Sequence, residues 1–285
     1  MFSVLLMLLL LNPSPARPAE EQSVQTARSD FDAGRYADAV QRLTAALDLA
    51  PQDPSVHHWL ARSYYEQGKY DNAIEHAETA VKLAPNNAEY QRWLGRAYGA
   101  RAEESHSFFL ARRVKQAFEA AVRLAPRSIE ARRDLMQFLA EAPWIVGGDK
   151  NQAKEQVQAI SQLDSLEGHL AQAAFFSAQK KWKDAQAEYL AVLDQHPSRI
   201  EPYMEVAEFF ADRKDANNLD RVLGDASRVN PRDPRLDFYR AVVLILRGTD
   251  LPAAEKLLTS YIANVPLRSD YPSHNAARKW LRAGK

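Results

Sequence analysis

This chain of 285 residues contains no cysteine. Disulfides, thiolate zinc sites, thiol nucleophiles and a lipid-anchor cysteine are therefore excluded, and an oxidising compartment would suit it. It also lacks a dominant charge: 37 Lys and Arg face 37 Asp and Glu. No overall field draws such a chain to nucleic acid or an anionic membrane. Two small basic clusters, Arg112, Arg113 and Lys115 and then Lys180, Lys181 and Lys183, have acids nearby and read as solvated faces. No GxSxG, P-loop, HExxH or GxGxxG occurs, and Gly147-Gly148 is too short to cradle phosphate. Glu103 and His106 stand at i, i+3, but a carboxylate-bridged metal centre needs a second such pair, which is missing. His57 and His58 point about 100° apart on a helix and cannot share a metal. This inventory predicts no enzyme, no cofactor and no metal.

Long apolar runs are missing except at the start. Residues 4–11 are an unbroken apolar run of eight, the length of a signal-peptide core and too short to span a bilayer. Pro13 and Pro15 follow, and Ser14-Pro15-Ala16 places small residues at −3 and −1 of a cut before Arg17; no Lys or Arg precedes the run. Residues 1–19 are read as a signal peptide, which predicts a periplasmic or secreted protein. An uncleaved membrane anchor is the alternative. No other segment approaches transmembrane length.

The remaining composition, 46% hydrophobic and 26% charged, is that of a soluble helical protein. Its organising stretch is 54–87, PSVHHWLARSYYEQGKYDNAIEHAETAVKLAPNN. His57, Leu60, Ala61 and Tyr64 share one face of a 3.6-residue period, and Ala73, Ala77, Ala80 and Val81 share another. Gly68 stops the first helix and Pro85 ends the second. This spacing of a tyrosine, a glycine, three alanines and a proline over 34 residues resembles the tetratricopeptide repeat (TPR) family.

The same template can be laid at 20–53, 54–87, 88–128, 129–165, 166–199, 200–233 and 234–268, with a capping helix in 269–285. In the first copy Asp30 replaces the tyrosine, as expected where a terminal repeat faces water. Between closing prolines the step is 34 from Pro51 to Pro85 but 41 from Pro85 to Pro126. The seven extra residues are about two helical turns, one for each helix of the third pair, and Phe108, Phe109 and Leu110 are expected to extend its contact. In the fourth copy Pro143 stops a helix, Gly147-Gly148 turns the chain and Asp149 caps the next helix. Its Trp144, Ile145 and Val146 resemble an AP-x-I-x-GG loop of TPR-like bacterial proteins, read either as an interaction knob or as packing over the third pair. The resemblance implies an all-α, right-handed solenoid of about seven helix pairs. First helices line its concave wall.

It implies a protein-binding scaffold as well. In that family the residue after the Leu-small pair of each first helix points into the groove, so the resemblance implies that Arg28, Arg62 and Arg96 stand there as a ladder. His58 and Arg92 stand one turn earlier and Tyr65 follows Arg62 by three. Such a wall would take acidic groups of an extended partner segment; alternatively the arginines bridge Glu66 and Glu89 within the solenoid. The chain departs from the family's carboxylate clamp, because Val24 and Arg28 stand where lysine and asparagine would be and Trp59 replaces a second asparagine. Glu167, Glu201, Glu208 and Asp212 predict an acidic stretch further along, suiting a mixed-charge peptide. The other functional reading is a structural subunit that self-associates through the C-terminal end near Trp280.

Overall fold

The computed structural model describes residues 16–284, with the backbone alone for residues 16–21. The apolar run at 4–11, and with it the expected leader, lies outside the described residues. Among these residues there are fifteen α-helices and no strand, and no helix is long and apolar enough to cross a membrane. Fourteen of the helices form seven antiparallel pairs. They are α1 (Ala16–Asp32) with α2 (Tyr36–Leu49), α3 (Pro54–Glu66) with α4 (Tyr70–Leu83), and α5 (Ala88–Ser105) with α6 (Phe108–Leu124). Next come α7 (Ile129–Glu141) with α8 (Lys150–Leu163), α9 (Ser165–Ala178) with α10 (Trp182–Asp194), α11 (Glu201–Asp212) with α12 (Ala216–Val229), and α13 (Pro234–Arg247) with α14 (Leu251–Asn264). Helix α15 (His274–Ala283) packs on the last pair and caps the array.

Many helix starts have a local cause. Asp53, Asn87, Ser128, Asp149, Asp164, Asp233 and Ser273 accept backbone N–H bonds at the first turns of α3, α5, α7, α8, α9, α13 and α15. Ala39, Ala73, Ala77 and Ala80 are buried; their small side chains let partner helices approach to roughly 8–10 Å. Gly95 shows how close that approach is, since a methyl group there would strike the Phe118 ring. The third pair is longer, 18 and 17 residues against 13 and 14 in the second, so its extra residues extend both helices.

Odd-numbered helices pack on one another, α1 on α3, α3 on α5, α5 on α7, α7 on α9 and α11 on α13, whereas the even-numbered row spreads. The array therefore curves with the first helices inside. Curvature brings the ends together. Arg268, after α14, donates to the Asp32 carbonyl at 2.9 Å, and Ser269 donates to Glu66 through its N–H and its hydroxyl at 2.9 and 2.7 Å. Pro266 lies on Gly34 with no room for a side chain there. The strap 266–270 thus closes the superhelix on its first two turns.

Two expectations change. Asp30 does not face water: it is buried and held by Arg35 at 2.6 Å and Arg42 at 2.7 Å. A carboxylate doubly paired there joins α1 to α2 by charge where the second copy uses Tyr64. Phe108 and Phe109 do not extend the helix contact, being 65% and 70% exposed. The chain turns at His106-Ser107, so those two rings fall on the outer side of the first turn of α6, and only Leu110 packs inward.

The turns carry the repeat in their backbone angles. Residues 180, 214 and 248 are 34 apart and all left-handed, but the first two are Lys180 (φ 58°) and Lys214 (φ 57°), with glycine only at Gly248. A side chain in that region costs about 1 kcal/mol. Lys214→Gly is expected to raise the urea midpoint by about that much in stability; an unchanged or lower midpoint contradicts it.

Candidate functional site

The inner wall of the first three pairs holds the arginine row. Arg28 lies over the Trp59 ring at 5.0 Å, Arg62 over Trp59 at 4.2 Å and Trp93 at 4.6 Å, and Arg96 over Trp93 at 5.2 Å. Three guanidinium groups and two indoles, each type recurring at 34-residue steps, interleave along one wall. The stacking orients the planar cations and covers their faces while leaving their edges for hydrogen bonds.

The three cations are not equivalent. Arg96 makes a fork with Asp134 of α7, both bonds 2.9 Å, so its charge is answered within the fold. Arg28 and Arg62 have no carboxylate within ion-pair distance among the described residues. Arg62 Nε is buried with no acceptor. Burial, with neighbouring Arg92 and Arg96 opposing the attraction of Glu89 and Asp32, pushes the Arg62 guanidinium down to about 10. A cation so placed is poised for an anion to complete it.

His58 and Arg92, expected on the groove surface, are instead inside the wall. His58 is buried against the rings of Trp59, Tyr90 and Trp93. Burial first, then Arg62, holds its imidazole near pKa 3 and neutral. Arg92 grips Glu89 at 2.8 and 2.9 Å and reaches Asp134 at 3.4 Å. Burial alone would raise the Glu89 carboxyl, yet the bonds from Arg92 and the Trp93 indole hold it near 2. Tyr65 packs edge-on to Trp93. The bridging acids are thus Glu89 and Asp134, while Glu66 serves the strap. Asp134 escaped the 34-residue arithmetic because the lengthened third pair shifts α7 out of step; Trp59 and Trp93 keep the period.

Beyond Arg133, which ties Glu167 at 3.0 Å to Glu205 at 2.7 Å, the wall turns acidic, with Glu201, Glu208 and Asp212 on α11. On the outside, Val146 is buried but Trp144 and Ile145 are 83% and 51% exposed. The loop rests on α6, with Arg112 reaching the Ile145 carbonyl at 3.4 Å, so one residue of three packs and two project. Trp280 is half-buried against the last pair, inside the curve. No cluster of three potential metal ligands occurs among the described residues.

Residues 30–97 match the family model described as tetratricopeptide repeat. That segment carries tetratricopeptide repeats. Solved TPR structures share the fold well beyond that segment. A TPR protein from Parabacteroides merdae is 12% identical with a TM-score of 0.58, covering 94% of this chain and 99% of that one. A thermophilic TPR protein from Thermus thermophilus is 22% identical with a TM-score of 0.56, covering 67% and 98%. Pseudomonas aeruginosa pilF is 16% identical with a TM-score of 0.52, covering 80% and 99%. No curated protein sequence matches. As a fold, TPR arrays mediate protein–protein interaction.

Proposed function

We propose that this TPR chain is an exported scaffold that holds an extended segment of a partner protein in its concave wall, acidic side chains of the segment meeting Arg28 and Arg62. One observation carries the reading: two stacked guanidinium groups stand on the inner wall without a carboxylate of their own among the described residues. Arg62 adds unpaired positive charge beside Arg92 and Arg96, which an acidic group of a partner would offset. Arg96 contributes less, being already forked to Asp134. Export is supported by the apolar run at 4–11 and the small residues before Arg17.

The test uses a capped peptide of alternating glycine and glutamate, titrated into the full chain with indole fluorescence as readout. Arg28→Gln with Arg62→Gln is expected to weaken capture at least tenfold while helical circular dichroism is retained. Capture should also weaken steadily with salt. Unchanged capture by the double variant rules the arginine row out.

A further inference from the structure

A chamber of about 940 Å³ opens on the inner wall well beyond the arginine row, between α7, α9, α11 and α13, and the strap and α15 form its far side. It exists because the fifth and sixth pairs approach least closely of any neighbours in the stack. Large rings hold them apart, Tyr189 lying 4.7 Å from Phe209. Trp182, Tyr239, Tyr271 and Trp280 line the space, with Arg213 stacked on the Trp182 ring and Arg235 and Arg268 on the Tyr271 ring.

Its charge is one-sided. Six carboxylates and three guanidinium groups line it. Arg133 binds Glu205 and Arg235 binds Asp233 at 2.7 Å, while Arg213 lies over the Trp182 ring at 4.6 Å, so the carboxylates outnumber the cations free to answer them. Glu208 and Asp212 are one turn apart on α11, and no cation lies within ion-pair distance of either among the described residues. Glu141 across the chamber receives, among the described residues, the Gln137 amide alone, at 3.3 Å. Glu208 and Asp212 stay open to the chamber, and partial desolvation by its walls, then Asp212 and Glu205, push the Glu208 carboxyl up.

We propose that this chamber is a second binding site, for a short basic segment whose lysine or arginine side chains meet Glu208 and Asp212. The two features demand the same ligand. Carboxylates pair with the cationic head, and the Trp280 ring takes the apolar stem and the face of a guanidinium. A bare metal ion would use neither the volume nor the rings. The site continues the same concave wall, so it deepens the scaffold reading by assigning basic chemistry to the part of a partner lying over the later pairs. It does not need the arginine row to bind anything.

The probe is a capped peptide of alternating glycine and arginine, titrated into the full chain with indole fluorescence and calorimetry. Saturable binding is expected. Glu208→Gln with Asp212→Asn should weaken it at least tenfold with circular dichroism and urea midpoint preserved. Arg28→Gln with Arg62→Gln should leave it within twofold, which separates failure of this site from failure of the arginine row. Glu255→Gln, on the outer helix α14, is the control for diffuse charge attraction. No saturable binding overturns the proposal, as does binding that the chamber variant leaves within twofold or that the control weakens equally.

Discussion

Replacing Gly148 by alanine is expected to destabilise the protein by about 3 kcal/mol, the upper part of the range for forcing atoms into a packed site. A side-chain carbon there would sit 2.6 Å from the Ala142 carbonyl carbon and closer still to its oxygen. These are backbone atoms, so no rotamer change relieves the clash. The loop is already fastened: Gly148 N–H donates to Pro143 at 3.1 Å, Asp149 N–H to Leu139 at 2.9 Å, and the Asp149 carboxylate caps α8. Shifting it would detach α7 from α8 and leave those donors unanswered. Gly224 supplies the contrast, since a methyl group there meets nothing within 4 Å on α12. Gly224→Ala should stabilise by about 0.5–1 kcal/mol. Urea unfolding of both variants checks the pair; a Gly148→Ala midpoint equal to the parent's contradicts the packing described.

Acid should weaken the fold before its carboxylates titrate. His58 is neutral and buried, with its pKa held near 3, against about 6.5 in an unfolded chain. Below pH 6.5 the unfolded chain therefore binds a proton that the folded one refuses, so stability falls as pH falls towards 3. Between pH 7 and pH 5 this amounts to about 2 kcal/mol at 1.36 kcal/mol per unit. His76, paired with His57 at 3.0 Å and lowered first by burial, acts in the same direction. Glu89 acts in a lower window, its contribution being lost only as pH drops from about 4.5 towards 2. His58→Gln should flatten the slope between pH 7 and pH 5, whatever it does to the midpoint at pH 7. A slope unchanged by that substitution would contradict the assignment.

Much of the architecture was legible because the same physical demand recurs every 34 residues. Alanines such as Ala73 and Ala77 must be small where helices touch, and Gly34, Gly68 and Gly248 must turn left-handed between them. The longer third pair followed from counting helical turns, and the Asp149 cap from its place before a helix. What escaped depends on contacts between distant residues. Nothing local marks Asp30 as buried, since its partners Arg35 and Arg42 belong to the next helix and its turn. The strap from Pro266 to Asp270 meets Asp32, Gly34 and Glu66 only because seven curved pairs bring it round. The arginine row was visible as a period, but its division into forked Arg96 and unpaired Arg28 and Arg62 was not, because Asp134 comes from α7 across an irregular step.

The central claim is that partners lie along the row of first helices. Hydrogen–deuterium exchange of the full chain, with and without the saturating glycine–glutamate peptide, tests it most directly. The account predicts slowed exchange in α1, α3 and α5, with α2, α4 and α6 unchanged. Protection confined to the outer helices, or to the exposed Trp144 loop, would contradict it.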